Sequence, residues 1–279
     1  MEKIAVRHMT IEDFAFAVKL TDTMNWDYTE EDFKFMTDLE PKGCFIASKN
    51  GERVGITTTI RFDSLGWIGN VIVNQNYRLM GIGSKLVKHA MDYLKGQSVR
   101  TIGLYSYMDT IPFYEKIGFK SNTRFIRLVG IGVAGDLGVN AIRKMEEKDL
   151  RYVIEFDRLC TGVSRQKLLR RIFMESRDLC YTIFERKRLV GFIMARSAQI
   201  GPLVCRPGFE EESINLLRVV LNKLVGLKVY IGVPEKRQHI LDFLRNLSFR
   251  EYFQVARMYY GDYLKDKNCT VAMESLERG

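Results

Sequence analysis

Long apolar runs are missing from this 279-residue chain. None approaches the roughly 20 consecutive apolar residues that a bilayer-spanning helix needs, so no membrane-embedded segment is expected. The opening "MEKIAVRHMTIEDF" carries acids where a secretory signal would need an apolar core, and no signal peptide is expected either. Cysteine is scarce and odd in number: Cys44, Cys160, Cys180, Cys205 and Cys269 are scattered, with no C-x-x-C pair. That pattern argues against a disulfide framework or a zinc site and for reduced thiols in a cytoplasm. The three histidines, His8, His89 and His239, are dispersed and make no metal set, and His89 is expected at the surface. No metal is therefore expected. No recognised RNA-binding motif accompanies the basic residues, so nucleic acid is not expected as a partner.

What remains is ordinary for a globular protein, with 46% hydrophobic and 28% charged residues. The length is about twice the commonest domain size, which allows two domains or one large one. The net charge of +9 is uneven. Residues 1–138 hold 17 Lys+Arg and 16 Asp+Glu, a balance of +1, whereas residues 139–279 hold 26 and 18, a balance of +8. The clusters "SRQKLLRR" and "ERKRL" in the second half read as solvated faces.

The chain repeats itself. "KIAVRHMTIEDFAFAVKLTD" resembles "VNAIRKMEEKDLRYVIEFDR", and "CFIASKNGERVGITTTIRF" resembles "CYTIFERKRLVGFIMARS". Each pair reads as strand, amphipathic helix and hairpin, and Asn50-Gly51 is a strong hairpin turn signal. "WIGNVIVNQNYRLMGIGSKLV" sets Ile68-Gly69 on Ile200-Gly201 of "QIGPLVCRPGFEEESINLLRVV". The chain thus reads as two copies of one α/β unit, 1–138 and 139–279, meeting in the glycine-rich "GIGVAGDLG".

The copies differ at one place. In the first, "NYRLMGIGSKLVKHAMDYL" follows the apolar run "WIGNVIV". Ile82, Leu86, Ala90 and Leu94 recur every four residues, with Val87 beside them, as the buried stripe of a helix. Unpaired N–H groups at such a helix start, bare backbone at Gly81 and Gly83 and a donor at Arg78 suit an anion. Glu210, Ser213 and Asn215 stand opposite Arg78, Gly81 and Gly83, and the run Glu210-Glu211-Glu212 would repel one. A dinucleotide fingerprint is excluded because Leu86 occupies its third glycine position, and a P-loop because the order is Gly83-Ser84-Lys85. A bare G-x-G is equally compatible with a tight strand–helix turn.

The stretch R-x-x-G-x-G at 78–83, the preceding "VIV" and "PFYEKIGF" about thirty residues on resemble the GNAT acetyltransferase superfamily. "NWDYTEEDF", "GCFIASKNGERVG" and "FDRLCTGVSRQKLL" extend the likeness to prokaryotic two-domain GNAT proteins, whose second domain is GNAT-like without an acetyl-CoA site. The resemblance implies an α/β (α+β) fold of two tandem GNAT-like domains, each a mixed, largely antiparallel sheet flanked by helices. It implies that the backbone of Val71, Ile72 and Val73 pairs with the pantetheine arm of acetyl-CoA. It assigns the pyrophosphate to Arg78, Leu79, Met80, Gly81, Ile82, Gly83 and Ser84. Tyr114 falls on the tyrosine that protonates the departing thiolate in many members, and Leu244 stands opposite it in the second copy.

The acceptor side is less marked. Many GNAT enzymes place a glutamate on the fourth strand, where this chain has Asn70. Two-domain relatives often have an aspartate on the fifth, near Tyr105. In "MNWDYTEEDF", Trp26, Asp27 and Tyr28 could wall an acceptor cleft, while Thr29 to Asp32 read as a helix cap with acids in the first turn. Asp157 and Arg165 match recurring positions of the relatives and either face the cleft or form an interface ion pair. The expected activity is acetyl-CoA-dependent N-acetyl transfer to a primary amine of a small molecule or a protein. The alternative is a non-catalytic acyl-CoA-binding sensor or scaffold.

Overall fold

In the computed structural model, residues 4–135, 142–262 and 267–279 are described. The first repeat runs β1 (Ile4–His8), α1 (Phe14–Asp22), α2 (Glu30–Leu39), β2 (Cys44–Lys49), β3 (Glu52–Phe62), β4 (Leu65–Val73), α3 (Ile82–Gly96), β5 (Thr101–Tyr107), α4 (Ile111–Glu115) and β6 (Lys120–Ile131). The second follows the same order: β7 (Ile142–Lys144), α5 (Leu150–Thr161), α6 (Gln166–Glu175), β8 (Tyr181–Glu185), β9 (Arg188–Arg196), β10 (Gln199–Cys205), α7 (Glu210–Lys223), β11 (Lys228–Pro234), α8 (Gln238–Asn246) and β12 (Arg250–Gly261). A further short strand, β13 (Thr270–Ala272), has no counterpart in the first repeat.

Local chemistry explains these elements. Asn50 and Gly51 adopt left-handed conformations (φ 51° and 85°) and close the β2–β3 hairpin as a two-residue turn. Thr29 and Asp32 form a reciprocal capping box at the start of α2, with Thr29 N 3.0 Å and Thr29 Oγ1 2.9 Å from the Asp32 carboxylate. Ile82, Leu86, Val87, Ala90 and Leu94 are buried along one stripe of α3. One device appears twice. Arg7 grips Asp13 through both oxygens (2.6 and 2.7 Å), and Arg143 grips Asp149 in the same way (2.6 Å each). Each aspartate also accepts the backbone N–H three residues before it, so it fixes the strand-to-helix turn of its own repeat.

The repeats do not end as separate bodies. Among the described residues the strands form one sheet in the order β1-β2-β3-β4-β5-β12-β6-β11-β10-β9-β8-β7, with β13 against β10. The last strand of each repeat lies in the other repeat. β12 pairs antiparallel with β5 through Val255↔Tyr107 to Gly261↔Thr101, and β6 pairs antiparallel with β11 through Ile131↔Lys228 to Phe125↔Pro234. β6 and β12 then pair with each other at the centre. The tandem GNAT-like pattern is therefore present as one sheet rather than two, and the exchange is what the repeat comparison did not reveal. The expected boundary at 138/139 lies outside the described residues.

Helices α1, α2, α5 and α6 cover one face, sharing a core with Ile46 of β2 and Phe192 and Met194 of β9. Helices α3 and α4 cover the other face of the first repeat, against Phe45 and Ala47, and α7 and α8 that of the second, against Ile193 and Ala195. The alternation along β2 and β9 is the strand period of two. On the first face the repeats are tied by Arg196–Asp32 (2.8 Å), Lys167–Glu40 (2.5 Å) and Arg171–Asp38 (3.1 Å). This corrects the reading of "SRQKLLRR" as a solvated face at Lys167 and Arg171, which meet acids of the first repeat, while Arg165 pairs with Asp157 and Arg170 stays exposed; "ERKRL" is the β8–β9 turn, exposed from Glu185 to Arg188. His89 is half-buried with Phe45 edge-on at 4.7 Å, not on the surface, because it lies beside the buried stripe of α3. None of the five cysteines is in a disulfide and all are buried, and Cys160 and Cys269 lie within hydrogen-bonding reach of each other. No helix among the described residues is long and apolar enough to cross a membrane.

Two outcomes follow from this architecture. Because β5 and β6 depend on strands of the other repeat, the full chain should unfold in one step. Tryptophan fluorescence reports only the first repeat, through Trp26 and Trp67, and far-UV circular dichroism reports the whole chain. Their urea midpoints should coincide, and separated midpoints would contradict a shared sheet. Burial pushes the Asp13 carboxyl up, but hydrogen bonds from Arg7 and Thr10 outweigh it and hold the group at about 2. Its contribution is present above the ordinary carboxylate range and is lost as pH falls toward 2. Asp13→Asn should lower the midpoint at neutral pH and erase part of that acid-limb decline.

Candidate functional site

The site begins where β4 and β5 part. They pair in parallel only from Leu65↔Thr101 to Trp67↔Gly103. Beyond that β4 carries a bulge: the register slips between Ile56↔Ile72 and Thr58↔Gly69, and Asn70 takes a left-handed conformation (φ 50°). The buried Asn70 amide reaches Thr58 Oγ1 at 3.3 Å. Ile72 and Val73 keep β3 on one side, and among the described residues no strand pairs with Val71, Ile72 or Val73 on the other, so a slot lined by backbone groups opens between β4 and β5.

The mouth of this slot is the turn before α3. Leu79, Met80 and Gly81 are exposed at its tip, and Leu79 (φ 63°) and Gly81 (φ 78°) are both left-handed. A Cβ on Gly81 would meet nothing within 4 Å, so the backbone there is open to approach. The first helical bond runs from Lys85 N to Gly81 O (3.0 Å), which leaves the N–H groups of Ile82, Gly83 and Ser84 ahead of it at the positive end of the helix. Ile82 itself turns its side chain into the core. Arg78 lies across the mouth, its Nε donating to Val73 O at 3.2 Å. Tyr114 is buried in α4, flanked by Phe113 and Phe119, and burial raises its phenol well above the usual range.

The equivalent slot of the second repeat is filled. β10 and β11 pair in parallel only at Gln199 and Ile200, and β13 then runs antiparallel along β10. Met273 N reaches Gly232 O of β11 at 2.9 Å, so the segment bridges both walls. A Cβ on Gly201 would lie 1.9 Å from the Met273 carbonyl oxygen. The first turn of α7 carries Glu210, Glu211 and Glu212, and the Glu210 carboxylate accepts from Gly208 N at 3.2 Å. The helix start that faces an open slot in the first repeat is covered here by the chain's own carboxylate.

The six candidate acceptor residues fall into two neighbouring groups on the α1–α2 face. Trp26 Nε1 donates to Tyr107 Oη (2.9 Å), Asp27 accepts from Tyr230 Oη (3.2 Å), and Tyr28 packs against Phe33. Tyr105 lies between Trp67 and Phe125, both at 5.0 Å, and burial raises its phenol. Asp157 and Arg165 form a buried bidentate ion pair (2.7 and 3.0 Å), and Arg165 Nη1 also donates to Gly279 O at 2.9 Å. The pair lies buried inside the second repeat, between α5 and the turn before α6. Its arginine nonetheless borders a cavity of about 70 Å³ together with Trp67, Tyr105 and Arg278.

Two contributors escaped the sequence reading. The segment after β13 crosses from the second repeat to the first: Trp67 Nε1 donates to Leu276 O (3.0 Å), and a Cβ on Gly69 would lie 2.4 Å from Glu277 Cβ. Arg278 holds Glu274 through both oxygens (2.8 and 2.9 Å) and also meets Glu277. The signal was that "CTVAMESLERG" extends past the last repeated element. Arg127 on β6 is the other. It shares a sheet face with buried Phe125, and "RFIRLV" shows that alternation as an arginine at a core-facing position.

Known proteins agree with this geometry. The Acetyltransferase (GNAT) family matches residues 9–119, and the Acetyltransferase (GNAT) domain matches residues 153–271. Holothin acyltransferase of Pseudoalteromonas sp. (strain SANK 73390) is 23% identical across 97% of this chain and 92% of its own length. An uncharacterized N-acetyltransferase of Bacillus subtilis (strain 168) is 20% identical over 87% of this chain and 86% of its own. Among solved structures, a protein from Pyrococcus horikoshii superposes with a TM-score of 0.83 at 20% identity, covering 99% of this chain and 96% of that one. A GCN5-related N-acetyltransferase from Sphaerobacter thermophilus gives 0.66 at 14% identity, covering 92% and 95%. With a matching GNAT unit in each half and one of its two strand slots open, the chain belongs to the GNAT superfamily as a tandem-domain N-acetyltransferase.

Proposed function

We propose that the chain transfers an acetyl group from acetyl-CoA to a primary amine by direct attack. Its one working site lies in residues 1–138, and residues 139–279 form a unit without an acetyl-CoA site. The observation that carries this reading is the contrast between the equivalent slots, β4/β5 open and β10/β11 filled by β13. The residues present fit acetyl-CoA: open space at Gly81, free N–H groups at the start of α3, and an unpaired β4 edge. Val71, Ile72 and Val73 would hold the pantetheine arm, and Arg78, Leu79, Met80, Gly81, Ile82, Gly83 and Ser84 the pyrophosphate. Acetyl-CoA supplies an acetyl group already activated as a thioester.

The chain's own residues do the rest. Tyr114 keeps its proton on Oη through neutral pH because burial disfavours the phenolate, and it gives that proton to the departing thiolate. Neither splayed edge offers a carboxylate, since β4 has Asn70 and β5 has Tyr105. Trp26, Asp27 and Tyr28 would border the acceptor cleft on one side and Tyr105 and Arg165 on the other, with Asp157 holding Arg165 in place from behind. The five cysteines, none of them in a disulfide, support a reducing compartment, and we place the enzyme in the cytoplasm.

Calorimetry with CoA tests the loop. The wild type should bind, and Gly81→Trp with Gly83→Trp should not, with an unchanged circular dichroism spectrum. A folded wild type that fails to bind would reduce the loop to a turn. Turnover tests the tyrosine: across a panel of amines, Tyr114→Phe should lower kcat by about a hundredfold with the KM for acetyl-CoA little changed. An unchanged kcat would remove Tyr114 from the chemistry.

A further inference from the structure

An aromatic rim runs from the first repeat into the second along the α1–α2 face. Tyr28 and Trp26 are 6.0 Å apart between ring centroids, Trp26 stacks with Tyr107 at 6.4 Å, and Tyr107 meets Phe253 at 5.0 Å. Phe253 continues to Tyr252 at 5.0 Å, and Tyr252 to Tyr230 at 6.0 Å. Tyr252 is 48% exposed, and the others are partly exposed rather than closed into a core. The rim ends at Arg127, whose guanidinium lies 5.2 Å from the Tyr230 ring centre.

Arg127 is an unusual residue for the middle of a sheet. It sits on β6, opposite Phe253 of β12 and Gly232 of β11. Its Nη2 donates to Gln199 Oε1, but its Nη1 is buried and has no hydrogen-bond partner among the described residues. Glu277 is a carboxylate in its field, and Arg278 already holds that group at 2.5 Å. Burial lowers the Arg127 pKa to about 10, the direction expected of a cation short of compensating charge. A buried charged donor with a bond unmade is unfavourable, and such groups concentrate where a ligand completes them.

The rim also passes the right place. Tyr107 lies four residues beyond Gly103, the last residue of β5 paired with β4, just as Val71 lies four beyond Trp67. Tyr107 therefore stands at the open slot. β6 is two strands away from β5, about 10 Å across the sheet. That span fits a molecule with an amine at one end, a flat apolar body and an acid at the other.

We propose that the acetyl acceptor carries an acidic group, a carboxylate or a phosphate, which Arg127 binds at the far end of the aromatic rim while the amine reaches the β4/β5 slot. This rests on the acyl-transfer reading above and narrows its acceptor to an anionic amine with an apolar or aromatic body.

The test is calorimetry on the CoA-loaded chain with matched probes that differ in the acid. 4-(2-aminoethyl)benzoate is compared with phenethylamine, 4-(aminomethyl)benzoate with benzylamine, and tyramine O-phosphate with tyramine as the phosphate arm. In at least one pair the acid-bearing member should bind about tenfold tighter or more, the scale of one charge-assisted hydrogen bond. Arg127→Met should abolish that preference, and Arg127→Lys should keep part of it. Equal binding within every pair, no binding of any acid probe, or a preference untouched by Arg127→Met would each overturn the proposal. Should Arg127→Met not fold, the wild-type pairs and Arg127→Lys still decide. If CoA itself does not bind, the acyl-transfer reading fails separately, and the same probes on the unliganded chain then judge Arg127 alone.

Discussion

The pairing of β6 with β12 at the centre of the sheet is the constraint from which the rest follows. Each of these strands is the last of its repeat, and each has crossed into the other half, so that β12 completes β5 and β6 completes β11. Hydrogen bonding leaves no edge where the repeats meet and makes one continuous surface out of two units. Tyr105 from the first repeat therefore faces Arg257 from the second across a strand pair, and Arg127 from the first sits between Phe253 and Gly232 from the second. Without that exchange Tyr105 would not stand beside Arg257, nor Arg127 beside Phe253.

The same scaffold has been put to two uses. Both repeats part their fourth and fifth strands after a short parallel stretch, and both place a helix start near the opening. In the second repeat the chain's own backbone takes up the strand edges that the first leaves bare. Having filled that slot, the chain continues past Trp67 and Gly69 of the first repeat, and its Gly279 carbonyl meets Arg165 of the second, anchored by the Asp157–Arg165 and Glu274–Arg278 pairs. These are buried bidentate pairs, and removing one partner of such a pair costs about 3–5 kcal/mol. One segment thus closes the second slot and builds a wall of the first.

Much of this was legible in the sequence because it depends on local periodicity. The stripe Ile82, Leu86, Ala90 and Leu94, the Asn50-Gly51 turn and the Thr29–Asp32 cap are short-range signals, and each appears where the residues predicted it. The acidic first turn of α7 was visible as Glu210 to Glu212. The strand exchange was not, because the repeats stay aligned whichever half receives the last strand. Nor was the path of 270–279, since three strand residues carry almost no periodic signal and their partners lie about 70 positions away. The basic residues of "SRQKLLRR" misled for the same reason. Lys167 and Arg171 find their acids more than a hundred positions upstream, in Glu40 and Asp38.

Native mass spectrometry of the intact chain with increasing acetyl-CoA addresses the central claim directly. An open first slot and a filled second slot predict saturation at one acetyl-CoA per chain. Two bound molecules would show that β13 does not close the second site, and none would show that the first is not an acetyl-CoA site at all.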